Sequence, residues 1–217
     1  AMSWLKIKSL SFRFLHVRYG INQEEKNNRP IVSRLLNLPS AIFMTDTQRT
    51  PDPVSIVSRL PKGFGVIFRH YDAPNRHELA EELARLCRQR HITFLVAGDW
   101  ALAKRVRADG VHLPDHAVRN ARGLRNKNPH FLVTSAAHSQ RSLWRAVNAG
   151  VDAVLVSPIF PTPSHPKTKP IGLMRFTNIC KVSPIPVYGL GGIGANNTAR
   201  LQNSGSVGIA GISLFCS

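Results

Sequence analysis

The stretch from Val151 to Ser213 decides the fold: 151-VDAVLVSPIFPTPSHPKTKPIGL-173, 185-IPVYGLGGIGANNTARL-201 and 206-SVGIAGIS-213. Two short apolar runs, Ala153–Val156 and Ile185–Tyr188, each enter a polar or glycine-rich turn and then a helical pattern. That strand–loop–helix order is the grammar of a parallel α/β fold. Gly189, Gly191, Gly192 and Gly194 stand where backbone N–H groups at a helix N-terminus approach a phosphate with no Cβ in the way. Gly208–Ser213, after the next strand, offers further N–H groups and a hydroxyl. Paired phosphate loops after the last two strands are a habit of (β/α)8 barrels.

Working outward, the same rhythm extends back to Ala41. Strands are expected near 41–45, 64–69, 92–97, 109–113, 130–134, 152–156, 185–189 and 206–210. Helices are expected over 52–60, 76–90, 100–107, 116–126, 139–149, 172–182 and 195–203. Asn75 and Ser139 are in place to cap their helices, and Gly150 to close one. Eight strands alternating with helices, roughly 20–25 residues apart, predict a closed (β/α)8 TIM barrel over residues 39–217. Only a few residues follow the eighth strand, so the eighth helix is expected to be missing or vestigial. Residues 1–38 form a basic N-terminal extension; Ser3–Tyr19 contains no acid, and a helical piece is expected at Ile31–Leu36. A transit peptide, an added strand and an added helix all fit such a segment.

At 217 residues and 43% hydrophobic, the chain suits one α/β domain. No apolar run approaches the roughly 18–20 residues of a membrane span, so no membrane partner is expected. The net charge of +17 raises the question of nucleic acid. The basic residues, however, are spread through every expected helix without one stripe, so no specific nucleic-acid partner is expected. Cys87, Cys180 and Cys216 lie far apart with no CxxC spacing, which suggests neither zinc nor a disulfide framework. A reducing, cytoplasmic compartment is the expectation.

Taken together, VSPIFPTPS, KPIGL, PVYGLGGI and GIAGIS closely resemble the thiamine phosphate synthase/TenI superfamily. AIFMTD, ADGVHLP and SAAHS follow in the matching order, so the resemblance covers about residues 41–215. It implies a (β/α)8 barrel that holds a phosphorylated thiazole, and a dimer or larger assembly of identical chains. The synthase branch joins a pyrimidine diphosphate to thiazole phosphate, which requires Mg²⁺ and cations to stabilise departing charge.

The chain departs from the synthase pattern at five places. The second strand of a synthase ends Q-x-R-x-K, and the aligned residues are Ile67, Arg69 and Tyr71, so only the arginine remains. Gly98 stands at one metal position and Ala117 at the other, with Asp99 and Asp115 as displaced substitutes. The serine expected on strand five is Ala136, and the lysine expected after PTxT is His165, with Lys167 and Lys169 nearby. What matches is the phosphate half: Thr162, Gly191, Gly192 and Ser213. The TenI branch, a thiazole tautomerase, keeps that half without the metal carboxylates. It has a proline where this chain has Pro114, and a histidine at the end of strand five where this chain has His138. That histidine is implicated in moving the proton that makes the ring aromatic, a step that needs one base near neutrality and no metal.

The resemblance therefore implies His138 as the catalytic residue. Arg69, Thr162, His165, Lys167, Gly191, Gly192 and Ser213 become phosphate or substrate contacts, with no resident cofactor. A synthase with an altered site would instead use Mg²⁺ on Asp99 or Asp115. A phosphate-binding protein without catalysis fits the same loops. For individual residues a plainer reading stands beside the functional one. Arg69 also suits an ion pair with Asp46 or Asp72, His112 a structural turn, and His138 a bond to a neighbouring loop.

Overall fold

A computed structural model describes residues 38–163 and 166–216. The expected extension up to Asn37, with its helical piece at Ile31–Leu36, lies outside the described residues, as does His165. Eight parallel strands close into a barrel in chain order. They are β1 (Ala41–Met44), β2 (Gly65–Phe68), β3 (Thr93–Ala97), β4 (Gly110–Leu113), β5 (Leu132–Ala137), β6 (Ala153–Val156), β7 (Val187–Leu190) and β8 (Gly208–Gly211). The seam joins β1 to β8, with Ala41 opposite Ile209 and Phe43 opposite Gly211. All eight strands thus come from the stretch predicted to hold them.

Side-chain alternation along each strand divides the apolar residues into two layers. Ile42, Met44, Ile67, Leu95, Leu155 and Tyr188 fill the inside of the barrel. Phe43, Val66, Phe68, Phe94, Val111 and Val154 point outward against the helices. Leu38 packs into the inner layer, and the buried Tyr188 hydroxyl donates to the Pro39 carbonyl at 2.8 Å. The barrel floor is thereby sealed, and its open end is the C-terminal mouth.

The helices are α1 (Pro53–Val57), α2 (Arg76–Gln89), α3 (Trp100–Arg105), α4 (Ala121–Lys127), α5 (Gln140–Ala149) and α6 (Leu173–Val182). Helix α5 is defined at both ends, as predicted. The Ser139 side chain accepts from the Ser142 N–H, the Ser142 side chain answers at the cap backbone, and Gly150 takes the left-handed conformation at φ 78°. Asn75 precedes α2 but makes no side-chain capping bond. Asp52 and Asp99, not singled out as caps, accept from Ser55 and Leu102 N–H groups instead.

Several boundaries differ from expectation, and three of the differences have a local cause. Strand β5 starts two residues later than 130–134 and runs on through Ala137. Phe131 is still in a turn, its N–H donated to the Asn128 carbonyl, and small Ser and Ala side chains extend the ladder. The helix expected at 116–126 opens as a 3₁₀ stretch, Asp115–Asn120, before α4. The helix expected at 195–203 shrinks to a 3₁₀ turn, Thr198–Leu201. There the Asn197 side chain bonds its own loop, accepting from the Gly194 N–H and donating to the Gly192 carbonyl, and this competes with helix formation.

The eighth helix is vestigial, as expected: a single 3₁₀ turn, Ser213–Phe215. Phe215 does the packing a helix would have done. Its buried ring lies 5.6 Å from Phe43 and 6.4 Å from Phe64, centroid to centroid.

Candidate functional site

The C-terminal mouth encloses a cavity of about 590 Å³. It is lined by Met44 and Asp46 beyond β1, Arg69 and Tyr71 beyond β2, His112 and Pro114 at β4, and Ala136 and His138 at β5. Ser157, Pro158 and Thr162 close it beyond β6, Gly191 beyond β7 and Ile212 beyond β8. Among the described residues, β3 with the turn beyond it is the one strand and turn with no lining residue. Period-two alternation explains much of this set. On β5 the inward residues run Thr134, Ala136, His138, which carries the histidine to the rim.

His138 is exposed at that rim. Its Nδ1 lies 2.8 Å from the Ser157 carbonyl oxygen. A carbonyl only accepts, so Nδ1 carries the proton and Nε2 is left with its lone pair in the neutral ring. The loop bond named as the plainer reading is therefore present, and it fixes the tautomer suited to a base. The His138 backbone N–H donates to the Ser142 hydroxyl at 2.8 Å, which ties the residue to the start of α5.

His112 sits deeper and is buried, its Nδ1 2.9 Å from the Thr134 hydroxyl. Burial first, and then the positive charge of Arg69, push its pKa down to about 3, so it stays neutral at any ordinary pH. A neighbouring histidine, His70, was not singled out by sequence. It is buried with Nδ1 against the Thr45 hydroxyl and its ring stacked on Phe68.

Arg69 pairs with Asp46, the first of the two partners named for it. Its Nη2 lies 3.1 Å from Asp46 Oδ2 and its Nε donates to the Thr45 carbonyl. Arg49 reaches the same Asp46 oxygen at 2.9 Å. Burial alone raises the Asp46 carboxyl. Hydrogen bonds from the Arg49 side chain and backbone, with the charges of Arg49 and Arg69, outweigh it and hold the carboxyl at about 2. Two guanidinium groups around one carboxylate leave this side of the cavity net positive. Sequence reasoning had not placed Arg49 in the site; the i, i+3 spacing from Asp46 was the available signal.

The glycine turn lies on the other side. Gly191 and Gly192 have φ of 91° and 67°, in the region that favours glycine. A Cβ on Gly191 would come within 2.8 Å of Pro158 Cα, and one on Gly192 within 2.4 Å of the Pro161 carbonyl oxygen. The turn is thus pressed against the loop that carries Thr162. Among the described residues, no acceptor takes the N–H groups of Gly191, Gly192 or Ser213. Continuing the β7–β8 register, in which Leu190 faces Ala210, sets these free donors on adjacent turns. Ser213 itself is exposed, one residue beyond the lining Ile212. Lys167 and Lys169 are exposed on the long loop and do not line the cavity.

The two carboxylates named as substitute metal ligands are occupied elsewhere. Asp99 caps α3, its Oδ1 accepting from the Leu102 N–H at 2.9 Å. Both Asp115 oxygens accept from Arg145 at 2.7 Å. Neither lines the cavity. Asp46 is the carboxylate of the lining, and two arginines hold it. Mg²⁺ requires near-octahedral oxygen coordination, usually from one or two carboxylates. Among the described residues no group of three or more His, Cys, Asp and Glu side chains gathers to hold a metal. The donor set does not fit Mg²⁺.

A closed eight-stranded barrel, with its cavity at the strand C-termini and unpaired N–H groups beyond the last two strands, defines a (β/α)8 barrel protein. The family model described as thiamine monophosphate synthase matches residues 41–215. A protein of Aquifex aeolicus named putative thiamine-phosphate synthase 2 is 34% identical, over 83% of this chain and 99% of its own length. The thiamine-phosphate synthase of Bacillus mycoides is 30% identical, over 84% of this chain and 86% of its own. Among solved structures, thiamine phosphate pyrophosphorylase from Pyrococcus furiosus superposes with a TM-score of 0.71 at 26% identity, covering 82% of this chain and 86% of that one. The chain belongs to the thiamine monophosphate synthase/TenI family. No helix among the described residues is long and apolar enough to cross a membrane.

Proposed function

We propose that this barrel binds a phosphorylated thiazole and isomerises it by metal-independent proton transfer, as the tautomerase branch of its family does. The observation that carries the reading is the tautomer of His138. The Ser157 carbonyl holds the proton on Nδ1 and leaves Nε2 as a base at the cavity rim. In the reaction, Nε2 takes a proton from a ring carbon of the non-aromatic thiazole carboxylate tautomer. The electron pair moves into the ring, and a proton returns at the exocyclic carbon. Atoms and charge balance without an added reactant, and the gain of aromaticity drives the step. The phosphate is held by the unpaired N–H groups of Gly191, Gly192 and Ser213, on the turns beyond β7 and β8. Arg69 and Arg49 present positive charge to the ligand's carboxylate.

The names of the relatives favour a second reading, a thiamine phosphate synthase with an altered site. That reading needs metal ligands beyond Asp99 and Asp115, both of which are committed to other bonds. A third, phosphate binding without catalysis, requires only the glycine turns. Assembly into a homo-oligomer remains part of the proposal, on family resemblance alone.

The test uses the thiazole carboxylate tautomer phosphate as substrate and follows appearance of the aromatic isomer by ultraviolet absorbance. His138→Gln keeps a hydrogen-bonding side chain but removes the base, and general-base groups contribute about 10²–10⁴-fold. Loss of that size with unaltered substrate affinity supports the assignment. Full activity in His138→Gln refutes it.

A further inference from the structure

Strand β3 sends no side chain to the cavity wall, and Tyr71 stands in its place. Gly98, at the end of β3, has φ 71°, and a Cβ added there would lie 3.5 Å from Tyr71 Cε1. The tyrosine ring therefore covers the spot where a longer residue at position 98 would project. Tyr71 is 51% exposed and lines the cavity beside Arg69 and Asp46.

The ring is also held. The Arg76 guanidinium lies 5.4 Å from the Tyr71 ring centroid and 5.2 Å from that of Phe68. Arg76 donates in turn to the carbonyls of His70 and Ala97, which pins it between the ends of β2 and β3. The Tyr71 N–H donates to the Arg69 carbonyl at 2.8 Å in a tight turn. A large apolar side chain left half exposed and buttressed by a cation is suited to contact with a second ring.

We infer that Tyr71 is a stacking platform that selects ligands carrying a planar heteroaromatic ring, and that it replaces the polar wall which the end of β3 would otherwise supply. The inference rests on the reading that the mouth binds a phosphorylated ring. It adds the determinant of ring recognition: the glycine turns hold the phosphate, and Tyr71 holds the ring. A platform of this kind favours an uncharged or cationic planar ring over an anionic group, because the face of an aromatic ring is negative.

Calorimetric titration of thiazole phosphate and of ethyl phosphate, which has the phosphate and no ring, separates the two contributions. Wild type is expected to bind thiazole phosphate more tightly than ethyl phosphate. Tyr71→Ala should weaken thiazole phosphate about fivefold to tenfold and leave ethyl phosphate unchanged, while Tyr71→Phe retains both affinities. In proton NMR, ring and methyl resonances of bound thiazole phosphate should move upfield through the tyrosine ring current and lose that shift in Tyr71→Ala. Equal weakening of both ligands, or no weakening of either, overturns the platform. So does a wild type that fails to distinguish the two phosphates. A wild type that binds the ring through Tyr71 yet catalyses no isomerisation leaves the platform standing and removes only the proposed reaction.

Discussion

Three glycine-to-alanine substitutions separate backbone strain from close packing in the proposed phosphate turn. At Gly192 both act: φ is 67°, and a Cβ would meet three backbone atoms of Phe160 and Pro161 at 2.4–2.8 Å. At Gly63 φ is 83° and nothing lies within 4 Å of the added atom, so only the backbone term applies. At Gly194, two residues beyond Gly192, nothing lies within 4 Å and no positive φ is involved. A left-handed conformation costs an alanine about 1–2 kcal/mol. Overpacking against backbone that cannot rotate away adds about 1–3 kcal/mol. A domain of this size loses about 2–4 °C of melting temperature per kcal/mol. Gly63→Ala should therefore melt about 2–8 °C below wild type, Gly192→Ala about 4–20 °C below, and Gly194→Ala within about 2 °C. In Gly192→Ala the neighbouring loop must also give way, which displaces the free N–H groups. Loss of one charge-assisted bond corresponds to about tenfold weaker phosphate binding or more. Differential scanning calorimetry and phosphate titration measure both. A Gly192→Ala protein that melts and binds like Gly194→Ala would refute the packing argument and the cradle together.

Other positions give sharper single readouts. Asp99→Ala removes the cap of α3 and should cost about 1 kcal/mol of stability, seen as a small drop in melting temperature with catalysis intact; a selective loss of activity would mean the carboxylate reaches the site. Phe215→Ala empties the packing that stands in for the eighth helix and should cost about 3–5 kcal/mol in urea unfolding; a cost below about 1 kcal/mol would show that the turn is dispensable. His112 is held near a pKa of about 3 against an ordinary 6.5, so the unfolded chain binds a proton that the folded one refuses. Its contribution is present above about pH 6.5 and is lost as pH falls towards 3, at up to about 1.4 kcal/mol per pH unit. Urea unfolding between pH 7 and 4 should therefore show a steeper decline in wild type than in His112→Gln, and equal slopes would contradict the burial argument.

Much of this was legible in the sequence because it depends on local pattern. Alternating apolar runs located all eight strands, and Ser139 with Gly150 marked both ends of α5. The parity of β5 was enough to bring His138 to the mouth once the strand was known to run through Ala137. What the sequence concealed depends on contacts between distant segments. Nothing local indicates that Tyr71 covers Gly98, or that Asp115 faces Arg145 across 30 residues. The stretch at 195–203 reads as a helix in sequence but forms only the 3₁₀ turn Thr198–Leu201, because Asn197 serves the glycine loop rather than a helix start. Asp99, aligned near a metal position, is one residue from it, and that offset points it at the backbone of α3.

The most direct test runs two reactions on one preparation, each with Mg²⁺ and with a chelator. One supplies thiazole phosphate and the pyrimidine diphosphate and measures thiamine phosphate. The other supplies the thiazole carboxylate tautomer phosphate and measures its aromatic isomer. The donor set and the fixed tautomer of His138 predict isomerisation at the same rate with chelator, and little thiamine phosphate under either condition. Robust Mg²⁺-dependent formation of thiamine phosphate, lost in Asp99→Ala, would contradict the account.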